Sequence, residues 1–211
     1  METVTNMTAT APTSNTTSNA PTVPTSSHTE PFRIYILSLD DQMHGIHYGT
    51  WIDFRQLDNI DDAYTVIRAF MDTSPTAETL GKPSRNWVIT NWEGWCEIEI
   101  PRNDYPASLW LRYETLTSLL EKGYSPDAIH DYAEWSGDNH FDAPFKKDFE
   151  EAYVGQYGSK RKFAEKLIDA TGMLADAPDF LCKYFDYDAF ARDLFMTDYY
   201  MSDSGYVFRT H

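Results

Sequence analysis

Arg33-Ile34-Tyr35-Ile36-Leu37-Ser38-Leu39 is the first stretch of this chain with the composition of a β-strand, and the folded part begins there. Branched and aromatic side chains dominate it, and such side chains pack well on a pleated sheet. Residues 49–53 and 87–92 have a similar composition and predict two further strands. Between them, residues 59–72 repeat apolar side chains with the period of one helical face. The sequence therefore predicts a small antiparallel sheet with one helix over residues 32–95, with turns over residues 74–85.

Further along the chain the helical period dominates. We predict a helix over residues 113–121 and a second one from Ser125, where a capping residue precedes a proline. Residues 149–154, 159–171 and 187–195 predict three more helices. A terminal hairpin is expected from residues 199–201 and 206–208, because Asp203-Ser204-Gly205 between them is a turn sequence.

These elements predict an α+β fold built as an elongated chain of three small modules. The first module spans residues 32–95, a central and mainly helical module spans residues 96–144, and an α+β module with the terminal hairpin spans residues 145–211. Residues 1–31 are expected to form a disordered tail, since residues 1–30 contain ten Thr, four Ser and three Pro and no Lys or Arg.

The composition combines a large negative charge with many aromatic residues. Thirty-three acidic residues face seventeen basic ones, a formal net charge of −16, while 15% of the residues are aromatic. A disordered acidic chain would lack that apolar content, so the charge is expected on the surface of a folded body. Such a surface repels nucleic acid and attracts proteins that bind nucleic acid. The charge is uneven, because residues 31–144 contain 19 acidic and 8 basic residues and residues 145–211 contain 12 and 9.

Motifs for catalysis, metals or membranes are weak in this sequence. His44 and His47 lie three residues apart without a third ligand at a useful spacing, and glycine-rich phosphate loops and nucleophile elbows are missing. We expect no catalytic residues, no metal site and no cofactor. Cys96 and Cys182 are interpreted as buried thiols. No apolar run is long enough for a membrane span, so a soluble, cytoplasmic protein is expected.

Three kinds of charged cluster need an interpretation: an acidic helical face, adjacent acidic pairs and a basic run. Asp127, Asp131 and Glu134 share one helical face, where they repel one another unless something compensates them. The adjacent pairs Asp40-Asp41, Asp61-Asp62 and Glu150-Glu151 are interpreted as solvated surface charge rather than as acid/base pairs. Lys160-Arg161-Lys162 is either a solvated face balanced by Glu165 and Asp169 or a contact to the acidic surface of a second subunit or a partner.

Several motifs, taken in order, resemble those of the ArdA antirestriction family over about residues 32–211. They are Gly49-Thr50-Trp51-Ile52-Asp53, Ile89-Thr90-Asn91-Trp92-Glu93-Gly94-Trp95, Phe149-Glu150-Glu151-Ala152-Tyr153-Val154-Gly155, Phe163-Ala164-Glu165-Lys166-Leu167 and Tyr187-Asp188-Ala189-Phe190-Ala191-Arg192-Asp193-Leu194. The chain departs from the family at Asn91, which stands where an aspartate is usual, and at residues 160–162, which replace a typically acidic stretch. Residues 76–86 and 96–108 resemble insertions.

The resemblance implies a non-catalytic DNA mimic, usually a homodimer, that acts in the cytoplasm of a bacterial host cell. It occupies the DNA groove of Type I restriction-modification enzymes, formed by their specificity and modification subunits, and blocks restriction of incoming DNA; whether modification is blocked as well stays open from the sequence. Residues expected on its acidic surface are Asp53, Asp58, Asp61, Asp62, Asp72, Glu93, Glu97, Glu99, Asp104, Glu114, Glu121, Asp127, Asp131, Glu134, Asp138, Asp142, Glu150 and Glu151. A counterpart of the family's antirestriction motif is placed around residues 174–186. Its apolar side chains are expected to pack in a dimer interface or to support the motif: Leu174, Phe180, Leu181, Tyr184 and Phe185.

Two other classes of function stay open from the sequence. An acidic, non-catalytic interaction module could recruit or inhibit another basic DNA-binding protein or a DNA-based defence system. In that case, reversing the charge of Asp127, Asp131 and Glu134 would leave its activity unchanged. A carboxylate hydrolase would need a metal or a perturbed acid pair in a pocket.

Overall fold

A computed structural model describes residues 31–82, 84–138 and 140–210 of the chain. Nine α-helices and two three-stranded antiparallel sheets lie in these ranges. This confirms the predicted α+β class. The tail predicted for residues 1–31 lies, apart from its last residue, outside the described residues.

The first sheet has the strand order β2-β1-β3, with β1 (Arg33–Ser38) in the centre, β2 (Gly49–Asp53) on one side and β3 (Trp87–Glu93) on the other. Both pairings are antiparallel. Ile34 and Ile36 point to the buried face, as the period of two requires. All three strands were predicted, and each observed boundary lies within one residue of the prediction.

Helix α2 (Ile60–Asp72) begins at the cap Asn59, whose side chain accepts hydrogen bonds from the backbone N–H groups of Asp61 and Asp62. Its inner face buries Ala63 and Met71. The prediction of one amphipathic helix here is confirmed.

Three short helices were not predicted. Helix α1 (Leu39–Met43) follows β1 directly, α3 (Pro75–Leu80) lies in the segment interpreted as turns, and the four-residue helix α8 (Asp179–Cys182) lies between two predicted helices near the end of the chain. Helix α3 has a strong local start, with Ser74 as its cap and proline at its first position. A six-residue helix is nevertheless too short to show an apolar period, which is why the pattern missed it.

Gly94 connects the first sheet to the rest of the chain through a turn that only glycine fits. Its φ angle is +80°, and a Cβ atom built there would lie 1.4 Å from the carbonyl oxygen of Pro31. The next residue, Trp95, is fully buried and donates its indole N–H to the carbonyl oxygen of Arg33, 3.0 Å away. The turn therefore anchors the first sheet to the following segment.

Two long helices follow. Helix α4 (Pro106–Glu121) begins seven residues before the predicted start, with proline in its first turn, and buries Leu109 and Leu116. Helix α5 (Pro126–Ser136) buries Ile129 and Tyr132 as predicted and ends at Gly137. The early start of α4 was missed because buried Arg112 interrupts the apolar period of its first half.

The last part of the chain contains α6 (Ala143–Ala152), β4 (Tyr153–Gln156), α7 (Lys160–Thr171), α8 (Asp179–Cys182), α9 (Tyr187–Thr197), β5 (Tyr199–Met201) and β6 (Tyr206–Arg209). The terminal hairpin β5-β6 is confirmed. The helix predicted over residues 149–154 is wrong at its end, because residues 153–156 form a strand. That strand pairs with β6 in a sheet of order β4-β6-β5.

A single cluster of buried apolar side chains connects the two sheets. It runs from Ile34 and Trp95 through Leu116 on α4 to Phe149 on α6 and Phe208 on β6. The cluster crosses both predicted module boundaries, near residues 95 and 144. The division into three modules stays a prediction about organisation, and the core itself is continuous across it.

Candidate acidic surface

The eighteen carboxylates predicted for the acidic surface fall into three groups by exposure. Ten are exposed: Asp58, Asp61, Asp72, Glu97, Glu99, Glu114, Glu121, Asp127, Glu134 and Glu151. Seven are half-buried: Asp53, Asp62, Glu93, Asp131, Asp138, Asp142 and Glu150. Asp104 is buried, so it does not belong to the surface and the prediction for it is wrong.

Most of the exposed group has no compensating cation. Eight of these residues make no ion pair with any described residue: Asp58, Asp61, Asp72, Glu97, Glu99, Glu114, Glu121 and Asp127. All eight lie within residues 58–127, from the turn before α2 to the start of α5. Unpaired carboxylates in water keep their full charge toward a partner, so these eight are the members of the predicted surface best placed to attract cations.

The start of α2 shows how the sequence places such charges. Asp58, Asp61 and Asp62 surround the cap Asn59, where the positive end of the helix dipole favours acids. The Asp62 carboxylate accepts a hydrogen bond of 3.0 Å from the backbone N–H of Asp58. Asp61 leaves its carboxylate exposed. The same turn therefore caps helix α2 and leaves negative charge exposed to solvent.

Other carboxylates are compensated within the chain. Asp53 accepts two hydrogen bonds from the Arg55 guanidinium, and these lower the pKa of Asp53 despite partial burial. Glu93 pairs with Arg33 at 2.6 Å. Glu150 pairs with Lys122 and Glu151 pairs with Lys147.

Two of the predicted residues serve local structure. Asp142 caps α6 through a hydrogen bond from the Phe145 N–H, and Asp138 accepts one from the His140 N–H. These paired and capping carboxylates contribute less net field than the unpaired group.

The acidic face of α5 forms as predicted, with Asp127 and Glu134 exposed and Asp131 half-buried. His130 lies 3.8 Å from Glu134 on the next turn. One carboxylate oxygen of Asp131, Oδ2, is buried and has no hydrogen-bond partner among the described residues. The mutual repulsion expected for this face is therefore only partly relieved.

Asp40 and Asp41 contradict the interpretation as solvated charge. Asp41 is fully buried and accepts a hydrogen bond of 2.8 Å from the backbone N–H of Thr76 at the start of α3. Asp40 accepts from Ser84 and from the Asn86 amide. These contacts join residues about 35 to 46 positions apart, so no local pattern could reveal them.

Burial alone would raise the pKa of Asp41. The hydrogen bonds from Ser38 and Thr76 outweigh it, and the pKa lies below its usual value of 3.8. Asp41 is therefore a charged structural link between α1 and α3.

Arg161, in the middle of the basic run at residues 160–162, is paired within the chain. Arg161 donates to Glu165 at 2.8 Å and to Asp188 on α9 at 2.5 Å, and Lys160 lies over the Phe195 ring. Of the two interpretations, balance by neighbouring acids applies to Arg161. Its partners are Glu165, as expected, and Asp188 rather than the expected Asp169.

The apolar segment predicted as an interface or motif support is largely uncovered. Phe180, Leu181 and Tyr184 are 62%, 50% and 83% exposed, while Leu174 and Phe185 are half-buried. Phe185 alone of the five makes ring contacts, with Tyr187 and Phe190. Three large apolar side chains next to one another in water are typical of a contact surface.

The cysteines differ from each other. Cys96 is buried, and burial raises the pKa of its thiol to about 12, with a further contribution from Asp127. Cys182 is half-buried at the end of α8, so its prediction as a buried thiol is wrong. Within the described ranges, no three His, Cys, Asp or Glu side chains are placed to hold a metal ion together. None of the helices described here has the length and apolar character needed to cross a membrane.

Comparison with known proteins adds a family to this geometry. The family model described as antirestriction protein (ArdA) matches residues 34–208. No curated protein shows a significant match to the chain. The matched range includes all nine described helices, every carboxylate discussed above, and both sheets except the first residue of β1 and the last residue of β6. Because the match covers well over half of the chain, the protein belongs to the ArdA antirestriction family.

Proposed function

We propose that this chain inhibits Type I restriction-modification enzymes by presenting surface carboxylates in place of the phosphates of B-form DNA. The inhibitor would occupy the DNA groove formed by the specificity and modification subunits in the host cytoplasm. The observation that carries the proposal is the set of eight exposed acids that have no cation partner among the residues the structure describes. Because cleavage and methylation both need DNA in that groove, both are expected to be blocked.

The binding energy would come from charge. Exposed carboxylates attract the Lys and Arg side chains that line a DNA groove, and the contact releases the ions associated with each surface. Catalysis is not required for this function. The antirestriction activity would depend on competition with DNA and would weaken as salt screens the charges.

The number of charges sets a length scale. Duplex DNA carries one negative charge per roughly 1.7 Å of axis, so the 31 acidic residues after residue 30 could replace at most roughly 53 Å of duplex. By the same rule, the net charge of −14 after residue 30 corresponds to roughly 24 Å. A two-fold dimer doubles either length.

The dimer is part of the proposal. The exposed side chains of Phe180, Leu181 and Tyr184 support a homodimer through residues 174–186, because an uncovered apolar surface gains free energy when a second copy covers it. The acidic first part of each chain would then extend away from a shared centre.

A competition gel-shift tests the mechanism. A purified Type I enzyme bound to labelled DNA is titrated with the protein at low and at moderate salt. We expect displacement of the DNA at low salt, weaker displacement at moderate salt, and no shift of DNA by the protein alone. Absence of displacement at low salt would contradict the proposal.

A matched pair of variants tests which carboxylates are responsible for displacing DNA from the enzyme. Asp61, Asp72, Glu114 and Glu121 are changed to their amides in one variant, and Asp169, Asp176, Asp193 and Asp203 in the other. Both variants lose four exposed charges, so total charge is controlled. The first should weaken displacement strongly and the second weakly. Equal loss would favour a general acidic interaction module over a mimic surface in the first part of the chain.

A further inference from the structure

A small pocket lies between helix α2, the residues before and at the start of β3, and the first residue of α4. Its volume is about 130 Å³. Pockets for drug-sized ligands begin at roughly 300 Å³, whereas an engineered protein cavity of roughly 150 Å³ holds benzene. The walls are largely apolar, since Ile67, Met71 and Pro106 are buried and Trp87 is half-buried. The pocket therefore has the size and the lining for one aromatic ring.

Two arginines, Arg68 on α2 and Arg85 just before β3, also line this pocket. Both are exposed, and neither makes an ion pair with a described residue. Asp72 lies one helical turn after Arg68 and still forms no ion pair with it. An arginine stem can lie against an apolar wall while its guanidinium stays in water. The pocket thus has two uncompensated cations at its rim.

The position of these two cations is unusual for this part of the chain. Residues 31–144 contain 19 acidic and only 8 basic residues. Four of the eight pair with acids: Arg33, Arg55, Arg112 and Lys122. Arg68 and Arg85 are two of the four that have no such pair, and they line one pocket that no described acid lines. Within an acidic region, this pocket therefore favours an anion.

The lining also restricts the kind of anion. A guanidinium presents its donors in a plane that matches the two oxygens of a carboxylate. The Ser84 hydroxyl already donates to Asp40 at 2.8 Å, so Tyr64 and Trp87 are the uncharged lining side chains left with hydrogen-bonding groups. A nucleobase would bring more polar edge atoms than these two groups can satisfy, and unsatisfied polar atoms are costly. An apolar ring that carries a carboxylate meets both parts of the pocket.

We propose that this pocket binds a small aromatic carboxylate with a single ring. The ring would lie among Ile67, Met71 and Trp87, and the carboxylate would lie at Arg68 and Arg85. The proposal does not rest on the antirestriction function, and its test needs no restriction enzyme.

NMR of the full ¹⁵N-labelled chain tests the proposal, with benzoate as the probe. The indole N–H signal of Trp87, assigned with the Trp87→Phe variant, should move saturably as benzoate is added at neutral pH. Acetate has no ring and benzyl alcohol has no charge, so each should bind at least roughly tenfold more weakly. No saturable shift with benzoate, or equal affinity for benzoate and either control compound, would overturn the proposal.

A matched pair of variants locates the site and remains informative if Trp87→Phe fails to fold. Arg68→Gln/Arg85→Gln should weaken benzoate binding by roughly tenfold, because two exposed cations no longer attract the carboxylate. The control is Lys82→Gln/Arg102→Gln, which removes two exposed cations of the same region that do not line the pocket. The control should keep the wild-type affinity. Ligand-observed NMR of benzoate measures these affinities without any assignment of the protein. Equal losses in the two variants would mean that benzoate binds by general charge attraction and would overturn the site.

Discussion

Residues 31–144 and residues 145–211 divide two tasks between them. The first region has a net charge of −11 and displays its unpaired carboxylates around a well-buried core. The second region has a net charge of only −3, and its Arg161 is paired internally. It also exposes Phe180, Leu181 and Tyr184 within five residues of one another. We propose that the first region supplies most of the charge for a partner and that this apolar cluster of the second region supplies the contact between two copies.

The largest effect is expected from removing the apolar side chains of the second region. The triple variant Phe180→Ser/Leu181→Ser/Tyr184→Ser should abolish the proposed dimer, since truncating a central aromatic of an interface costs about 2 kcal/mol or more. Light scattering after size exclusion measures the mass, and wild-type protein should have twice the mass of the variant.

Met43→Ser is the control for that variant. Met43 is 74% exposed in the first region, so it removes a comparable apolar side chain away from the proposed interface. It should leave the dimer intact. A monomeric wild-type protein, or a triple variant that still has the dimer mass, would contradict the division of tasks between the two regions.

A smaller effect should separate paired from unpaired acids. Glu114→Gln/Glu121→Gln removes two carboxylates without a described cation partner, whereas Glu150→Gln/Glu151→Gln removes two that pair with Lys122 and Lys147. The first change should weaken inhibition of a Type I enzyme by roughly tenfold, or about threefold for each exposed carboxylate neutralised. The second should change it less, because those two carboxylates already face cations of their own chain and are less available to cations of the enzyme.

The measurement is the concentration for half-inhibition at several salt concentrations. Each carboxylate that no longer faces a cation of the enzyme should also reduce the slope against log salt by about 0.9. Indistinguishable slopes for the two double variants would mean that internal pairing does not decide which acids act.

Local sequence patterns predicted most of the helices and strands, but few of the contacts between residues that lie far apart in the chain. The strands of the first sheet and helix α2 follow from periods visible within a few residues. Strand β4 was missed because residues 153–154 continue a helical pattern in the sequence. These residues form a strand because they pair with β6, about 50 residues later. A propensity of a few tenths of a kcal/mol is overridden when a strand completes a sheet.

The same reason explains the errors at the predicted surface. Asp41 and Asp104 look like any other acids in the sequence, yet one holds the start of α3 and the other lies beside buried Arg112. Whether a carboxylate is displayed or used internally depends on residues far away in the chain. The sequence therefore predicted the charge balance of each region better than the role of each acid.

Stability should depend on one of these internal acids. Asp41→Ala leaves the Thr76 N–H without its acceptor in a buried place and should cost about 1–3 kcal/mol of unfolding free energy. Asp72→Ala, at an exposed position, should cost less than about 0.5 kcal/mol. Urea unfolding near neutral pH compares the two variants, and equal losses would contradict the structural role of Asp41.

The pH dependence of that loss has a defined direction. The folded pKa of Asp41 lies below the usual 3.8, so the native state binds its proton less readily than the unfolded state. Its stabilising contribution is complete above the unfolded pKa and is lost as pH falls through the folded one. The stabilities of wild type and Asp41→Asn should therefore converge as pH decreases below about 4. A gap that stays constant across this range would show that the carboxylate charge is not the stabilising feature.

The smallest expected effect is a difference in thiol reactivity between the two regions, and labelling should leave activity unchanged. At pH 8, iodoacetamide should react with half-buried Cys182 and spare Cys96, because burial raises the pKa of Cys96 to about 12 and excludes the reagent. Mass spectrometry of the folded protein should find one labelled thiol, and Cys182→Ser should remain unlabelled until it is unfolded.

Cys182 also lies between Leu181 and Tyr184, within the proposed interface. If two chains meet there, labelling of Cys182 should slow as protein concentration rises and should be fast at all concentrations in the Phe180→Ser/Leu181→Ser/Tyr184→Ser variant. A labelling rate independent of concentration in wild type would place the contact between the chains elsewhere.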